Sequence, residues 1–142
     1  MKLSTRSRYG LRAMVELAAQ GEGRCVALKT IARKHGMSEF YLERLFAPLK
    51  KAGYIASVRG AQGGYRLNRP AEAVTAGDVL RVLEGSLSPV ECLDDGAAAC
   101  ASASCDNCST KTVWERLRDG VSEVLDDIRL SELAAGAERE GL

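Results

Sequence analysis

The chain has 142 residues, and its 20 Lys and Arg balance 19 Asp and Glu to a net charge of +1 at pH 7. This length allows one compact domain, or a small domain with an appendage. No apolar stretch approaches the ~18 residues of a membrane span, and the polar, basic first residues do not resemble a secretory signal peptide. We therefore expect a cytoplasmic protein that does not insert into membranes.

The charges are distributed unevenly along the chain. Residues 1–70 carry 14 Lys and Arg against 4 Asp and Glu, a net charge of +10, whereas residues 71–142 carry 6 against 15, a net charge of −9. A basic half joined to an acidic half indicates a nucleic-acid-binding module attached to a second part. A basic face that is merely solvated would give the same count.

Three helices are predicted in the basic half from apolar residues at helical spacing, caps and glycine stops. They run from Ser4 or Thr5 to Gly21, from Leu28 to His35, and from Ser38 to Gly53. The second and third, separated by a short glycine-containing turn, form a helix-turn-helix. Pro48 lacks the N–H that would bond the carbonyl of Arg44, so we expect it to kink the third helix or end it early.

A β-hairpin is predicted directly after the third helix. Residues 54–58 and 65–67 have strand composition, and the glycine-rich segment between them has turn composition. A hairpin after a helix-turn-helix makes a winged helix. The predicted fold is therefore mainly α with a small β-hairpin: a winged helix-turn-helix DNA-binding domain followed by a long dimerisation helix.

The winged helix suggests which residues contact DNA. The third helix would enter the major groove, Arg59 and Gln62 of the wing tip would lie at the minor groove, and the start of the first helix would hold phosphates. The residues expected at the groove from the third helix are Ser38, Glu39, Tyr41, Glu43 and Arg44. Those expected at phosphates are Ser4, Thr5, Arg8 and Tyr9, with Arg6 beside them.

The acidic half is expected to contain one short helix, a long loop and a long helix. Thr75 and Asp78 form a capping-box pattern for the short helix, which Gly85 ends. A long helix from Ser109 or Thr110 to about Arg129 carries an apolar stripe that should pack on a second subunit, although it could lie on its own domain. The expected divisions are a DNA-binding domain at 1–85, a cysteine-rich loop at 86–108, dimerisation and short C-terminal helices at 109–135, and a disordered tail at 136–142.

Four of the five cysteines are crowded into the loop before the long helix: Cys92, Cys100, Cys105 and Cys108. Thiolates bind zinc or iron–sulfur clusters, and the same residues could act as a thiol redox switch. Structural disulfides are rare in the cytoplasm, which disfavours paired cystines. The spacing alone does not separate iron from zinc. Cys25, outside the loop, is interpreted as a small packing residue.

Several segments resemble the family of bacterial winged-helix regulators that includes IscR, NsrR and CymR. They are Met1-Lys2-Leu3-Ser4-Thr5 followed by Arg8-Tyr9, Tyr41-Leu42-Glu43 with Leu45-Phe46, Ser57-Val58-Arg59-Gly60 with Gly63-Gly64-Tyr65, and the cysteine loop up to Trp114. The resemblance implies a homodimeric transcription factor, a repressor rather than an enzyme, on a roughly palindromic DNA site. It also implies an iron–sulfur cluster, [2Fe–2S] rather than [4Fe–4S], that reports iron, oxygen, nitric oxide or redox status.

The fourth cluster ligand has two interpretations, because the family pattern has three cysteines with, in IscR, a histidine three positions after the last. If Trp114 anchors the alignment, Cys108 is the third cysteine and Lys111, a poor ligand when protonated, takes the histidine position. If Cys105 is the third, Cys108 takes that position and all four thiolates bind the cluster. The only histidine, His35, lies in the helix-turn-helix and is interpreted as a surface or packing residue.

Three other functions remain open from the sequence. A CymR-like repressor would answer to a protein partner, with the cysteines incidental, and a regulator with zinc or a thiol switch would keep the loop but not the cluster. An iron–sulfur electron carrier is a weaker hypothesis, because it does not explain the basic half or the wing.

Overall fold

The computed structural model describes residues 2–94 and 108–139. Within these ranges it contains six α-helices and a two-stranded antiparallel sheet, which confirms the mainly α class with a small hairpin. The elements are α1 (Thr5–Ala19), α2 (Leu28–Lys34), α3 (Glu39–Lys51), β1 (Ile55–Val58), β2 (Gly64–Leu67), α4 (Ala76–Glu84), α5 (Lys111–Asp127) and α6 (Leu130–Arg139). Single 3-10 turns span Ala71–Ala73 and Glu91–Leu93.

One hydrophobic core joins the helices of the basic half to α4 and α6. Its fully buried side chains come from the apolar stripe of each element, including Met14, Leu42, Phe46, Val79 and Leu130. Each such side chain contributes about 1.5–3 kcal/mol when buried. The first three helices and the hairpin are therefore held to α4 and α6 by shared packing.

Pro48 lies inside α3, which continues to Lys51, so the expectation that the proline ends the helix early is wrong. A proline inside a helix costs ~3 kcal/mol or more. Leu45, Phe46 and Leu49 flank it and are at most 1% exposed. Because losing the last turn would expose Leu49, core packing outweighs the missing hydrogen bond.

The wing contains a backbone pairing that the sequence pattern does not reveal. β1 and β2 pair from Ile55 opposite Leu67 to Val58 opposite Gly64. Val26, from the segment between α1 and α2, forms an isolated antiparallel bridge to β2: its N–H donates to the Tyr65 carbonyl at 2.8 Å and its carbonyl accepts from the Tyr65 N–H at 2.9 Å. Gly64 has φ +152°, and a Cβ there would collide with the Val26 carbonyl oxygen, so only glycine allows this close approach.

Side-chain hydrogen bonds cap the start of α4 and attach its end to the start of α1. At its start the predicted capping box is present, with the Asp78 N–H donating to Thr75 Oγ1 at 3.1 Å and the Thr75 N–H donating to Asp78 Oδ2 at 3.0 Å. At its end, Glu84 Oε1 accepts from the Ser4 N–H and from the buried Ser7 hydroxyl, both at 2.6 Å. These bonds fix the start of α1 against α4.

The last two helices differ in how much they bury. α6 packs on α1 and buries Leu130 and Ala134, and it continues through Gly136 to Arg139, where the sequence suggested a disordered tail from residue 136. By contrast, α5 has 17 residues and none of them is buried. Among the helices of the described ranges, none combines the length and apolar character that a bilayer crossing requires.

We predict that Glu84→Ala lowers the free energy of unfolding by about 1–3 kcal/mol at pH 7, because the buried Ser7 hydroxyl loses its acceptor. The Ser4 and Ser7 hydrogen bonds lower the pKa of Glu84. The stabilisation from the carboxylate is therefore present above the ordinary Glu pKa and is lost as the pH falls through the folded-state pKa.

The measurement is urea denaturation of the wild type and the variant from pH 7 down to about pH 3. Glu91→Gln, a change at an exposed carboxylate, is the control and should stay close to the wild type. A stability difference between wild type and Glu84→Ala that does not shrink on acidification would contradict the assignment.

Candidate nucleic-acid interface and cysteine segment

The start of α1 presents two exposed side chains of the expected phosphate contacts, Thr5 and Arg8. Ser4 is the N-cap: its hydroxyl oxygen accepts from the Ser7 N–H at 3.3 Å, and its own N–H is bonded to Glu84. The partial positive charge of a helix N-terminus adds to the charges of Arg6 and Arg8. This end of α1 is therefore suited to bind anions through Thr5, Arg8 and the helix dipole, while Ser4 holds the helix end in shape.

Two tyrosines connect α1 to α3. The rings of Tyr9 and Tyr41 meet edge to face with centroids 6.2 Å apart and an interplanar angle of 86°. Both side chains are half-buried, and the guanidinium of Arg12 lies 5.8 Å from the Tyr9 ring centroid. The contact fixes the start of α3 relative to the start of α1, so these residues position the surface as well as border it.

The start of α3 is exposed and carries mixed charge. Ser38 caps it, with its hydroxyl oxygen accepting from the Tyr41 N–H at 3.1 Å. Glu39, Glu43 and Arg44 are exposed. Phe40 is 70% exposed, the highest value among the large apolar side chains of the described ranges, and the Arg44 guanidinium lies 5.9 Å from its ring centroid. The sequence indicated the charged residues of this surface but did not assign Phe40 to it.

The wing packs against α3 at its base and is exposed at its tip. Phe46 and Tyr65 rings lie 4.9 Å apart, and burial, followed by the nearby Glu43 carboxylate, raises the pKa of the Tyr65 hydroxyl. Arg59 and Gln62 are exposed in the tip. The hairpin therefore presents both side chains from a base that is fixed to α3.

The two described cysteines of the crowded group flank residues 95–107. Cys92 is half-buried in the 3-10 turn after α4. Cys108 is exposed just before α5, and its Sγ lies 3.3 Å from Thr110 Oγ1. The Thr110 hydroxyl, followed by the backbone amides at the start of α5, lowers the pKa of the Cys108 thiol, which favours the thiolate that binds metals. The other two predicted ligands, Cys100 and Cys105, lie outside the described residues.

The structure also shows the positions of two other residues that bear on the fourth ligand, Lys111 and His35. Lys111 Nζ lies 3.9 Å from Glu115 Oε1 on the same face of α5. His35 lies after α2, with Nε2 buried 3.6 Å from Glu16 Oε2. In the described ranges, no group of three or more Cys, His, Asp or Glu side chains is arranged to hold a metal ion.

The profile of the Rrf2 family, described as iron-dependent transcriptional regulators, matches residues 3–136. The chain belongs to the Rrf2 family. It is 48% identical to the transcriptional regulator CymR of Bacillus subtilis (strain 168) over 141 residues, 99% of this chain and 94% of that protein. It is 39% identical to the transcriptional regulator IscR of Vibrio atlanticus (strain LGP32) over 133 residues, 94% of this chain and 75% of that protein.

Solved structures of Rrf2 proteins agree with the fold. The structure of CymR, the global cysteine regulator of B. subtilis, has a TM-score of 0.79 at 43% identity, covering 95% of this chain and 97% of that chain. IscR of T. potens also has a TM-score of 0.79, at 42% identity, covering 100% and 92%. The winged-helix fold and the resemblance to IscR and CymR are thus confirmed, and the chain is a transcriptional regulator, not an enzyme.

Proposed function

We propose that this Rrf2 protein is a homodimeric repressor that binds a roughly palindromic DNA site in the cytoplasm and is controlled by an iron–sulfur cluster in its cysteine segment. Residues 1–85 read DNA, residues 86–108 form the sensing loop, and α5 joins two copies. The observation that carries the proposal is the joint exposure of the start of α3 and of Arg59 in the wing tip, in the half of the chain with charge +10.

DNA recognition divides between the elements according to their charge. Glu39 and Glu43 give α3 acidic side chains, which repel phosphates but can accept from cytosine N4 in the major groove, while Arg44 can donate to guanine. Phosphate attraction then comes from Thr5, Arg8 and the α1 N-terminus. Arg59 enters the minor groove, with Gln62 beside it.

The remaining residues of the candidate surface serve it differently. Phe40, exposed next to Arg44, offers apolar contact to a thymine methyl group. Ser4, Ser38, Tyr9 and Tyr41 are engaged in caps and ring contacts. They hold α1 and α3 in the arrangement that reads DNA.

The dimer is supported by the exposed stripe of α5. Val113, Leu117 and Val124 are 56%, 43% and 61% exposed in the single chain. Two copies that pair through the same helix form an isologous interface with two-fold symmetry. A dimer with two identical reading domains matches a DNA site with two-fold symmetry.

The four cysteines of the cysteine segment are the donor type that an iron–sulfur cluster requires. Four thiolates complete the coordination of a [2Fe–2S] or [4Fe–4S] cluster, and Cys108 is already biased toward the thiolate. Cys92, Cys100, Cys105 and Cys108 would hold it, with [2Fe–2S] favoured by the likeness to IscR. The bound cluster supplies sensitivity to iron and oxidants. Since Cys92 follows α4 and Cys108 precedes α5, ligation would tie together the ends of the intervening segment.

A second candidate is control without a cluster, through a protein partner, through thiol oxidation, or with zinc in the same segment. It is favoured by the 48% identity to CymR and by the likeness to an oxidised form of Staphylococcus aureus CymR, with a TM-score of 0.73 at 43% identity. In this candidate the DNA-reading surface and the dimer are unchanged, and only the signal that controls DNA binding differs.

We predict that Arg59→Ala weakens DNA binding about tenfold and lowers the slope of log affinity against log salt by about 0.9, because one cation at the DNA is lost. The measurement is fluorescence anisotropy at several salt concentrations, with DNA that the wild-type protein selects from a random pool. Arg139→Ala, which removes the same charge from the end of α6, is the control. Unchanged affinity and slope in Arg59→Ala would refute the wing assignment.

We predict that the anaerobically purified wild type absorbs visible light and contains iron and sulfide, and that Cys108→Ser loses at least half of both without unfolding. Cys25→Ser, a change at the cysteine between α1 and α2, should keep them. The measurements are absorption spectra, iron and sulfide analysis, and circular dichroism. A colourless wild type with zinc, or with no metal, would exclude the cluster and leave the second candidate.

A further inference from the structure

Directly after the C-terminal end of α5, backbone hydrogen bonds fix the chain to the proposed DNA-binding domain at residues 1–85, called here the reading domain. The Ala76 N–H donates to the Ile128 carbonyl at 2.8 Å, and the Leu130 N–H donates to the Val74 carbonyl at 2.9 Å. Arg129 Nη1 adds a bond to the Glu72 carbonyl at 2.8 Å. These contacts hold residues 128–130 in place, so they act as a pivot that fixes the position of this end of α5 but not the direction of the helix.

One side-chain pair joins α5 to α4 just before this pivot. Arg81 Nη1 donates to Asp126 Oδ1 at 2.6 Å and Nη2 donates to Oδ2 at 2.8 Å. This bidentate geometry is the most directional form of ion pair. The Arg81 hydrogen bonds lower the pKa of Asp126, and the same bonds raise the pKa of Arg81.

Gly77 provides the space for this pair. It lies one turn before Arg81 on α4, and a Cβ at Gly77 would collide with Asp126 Oδ1 and reach within 2.9 Å of Arg81 Nη1. Any larger residue at position 77 would displace the carboxylate. The glycine and the ion pair together form a joint between α4 and α5, defined here as Gly77, Arg81 and Asp126.

Packing of α5 on its own domain is partial: the helix contacts α4, and Trp114, Val121 and Leu125 are half-buried, but no residue of α5 is buried. The direction of α5 therefore depends on these partial contacts together with the joint. A helix of 17 residues is ~25 Å long, and a rotation of about 10° at one end moves the other by about 4 Å. One base-pair step of DNA is ~3.4 Å. In the proposed dimer, a displacement of this size, produced at the joint, is comparable to one base-pair step of DNA.

We infer that the joint of Gly77, Arg81 and Asp126 sets the angle between α5 and the reading domain, and so selects the half-site spacing that the dimer binds. This inference rests on the proposed dimeric DNA-binding function. Arg81 and Asp126 are positioning residues, since they act on DNA through the orientation of the domain.

The test uses DNA duplexes with two half-sites at the spacing that the wild type selects, at one base pair more and less, and a duplex with a single half-site. The proteins are the full-length wild type, Arg81→Gln, Asp126→Asn and Gly77→Ala. Arg118→Gln is the matched control, because it breaks an exposed pair on α5, Arg118 Nε to Asp119 Oδ1 at 2.9 Å, that does not reach α4.

We expect the wild type and Arg118→Gln to prefer the selected spacing at least about tenfold, and the joint variants to reduce that preference to about threefold or less. Binding to the single half-site should stay within about twofold in the joint variants. This pattern separates a positioning role from a structural one, because general destabilisation would weaken binding to every duplex.

Other results overturn the inference. An unchanged spacing preference in Arg81→Gln and Asp126→Asn, with or without a uniform loss of affinity, would overturn it. A loss of spacing preference in Arg118→Gln as large as in the joint variants would also overturn it. If Gly77→Ala fails to fold, the spacing preferences of Arg81→Gln and Asp126→Asn still test the inference. A wild type that binds two half-sites no better than one would instead contradict the dimeric function.

Discussion

The structure depends on covering the apolar stripe of α5. This helix has the amphipathic pattern of a packing element, yet none of its 17 residues is buried in the single chain. Burying a side chain such as Val or Leu contributes about 1.5–3 kcal/mol, and the stripe leaves Val113, Leu117 and Val124 largely exposed. In the proposed dimer, a second copy of the same helix covers this stripe and gives the two DNA-binding domains their symmetry.

The position of α5 in the chain places it between the proposed sensing segment and the DNA-binding domain. Cys108 lies three residues before its first residue, and the backbone contacts at residues 128–130 fix the segment directly after it to the winged helix. The charges follow the same division, +10 before residue 71 and −9 after it. Since DNA is repelled by the acidic half, electrostatics favours approach through the winged helix and keeps α5 away from the phosphates.

The sequence predicted the features that depend on local patterns. The three helices of the basic half, the hairpin, the Thr75 and Asp78 capping box and the start of α5 all have local signals, namely periodicity, caps or glycines. For α3 the local signals disagreed: Gly53 predicted an end near residue 52, whereas Pro48 predicted a kink or an early end. The burial of Leu49 in the core, which decides between them, could not be predicted. The extension of α6 past Gly136 could not be predicted either, because it depends on the packing of α6 on α1.

Long-range contacts were beyond local reasoning. The single-residue pairing of Val26 with Tyr65 has no periodicity to reveal it, and Arg81 and Asp126 are separated by 45 positions. In the candidate site, exposure of Arg59 and Gln62 followed from the turn, whereas the ring contact of Tyr9 with Tyr41 required the packed structure.

Sedimentation equilibrium of the wild type, Val124→Glu and Phe40→Glu tests the central claim that a second copy covers α5. Val124 and Phe40 are both more than half exposed in the single chain, but only Val124 lies on α5. The account predicts a mass of two 15.2-kDa chains for the wild type and Phe40→Glu, and a folded monomer for Val124→Glu. A monomeric wild type, or a Val124→Glu variant as dimeric as Phe40→Glu, would contradict it.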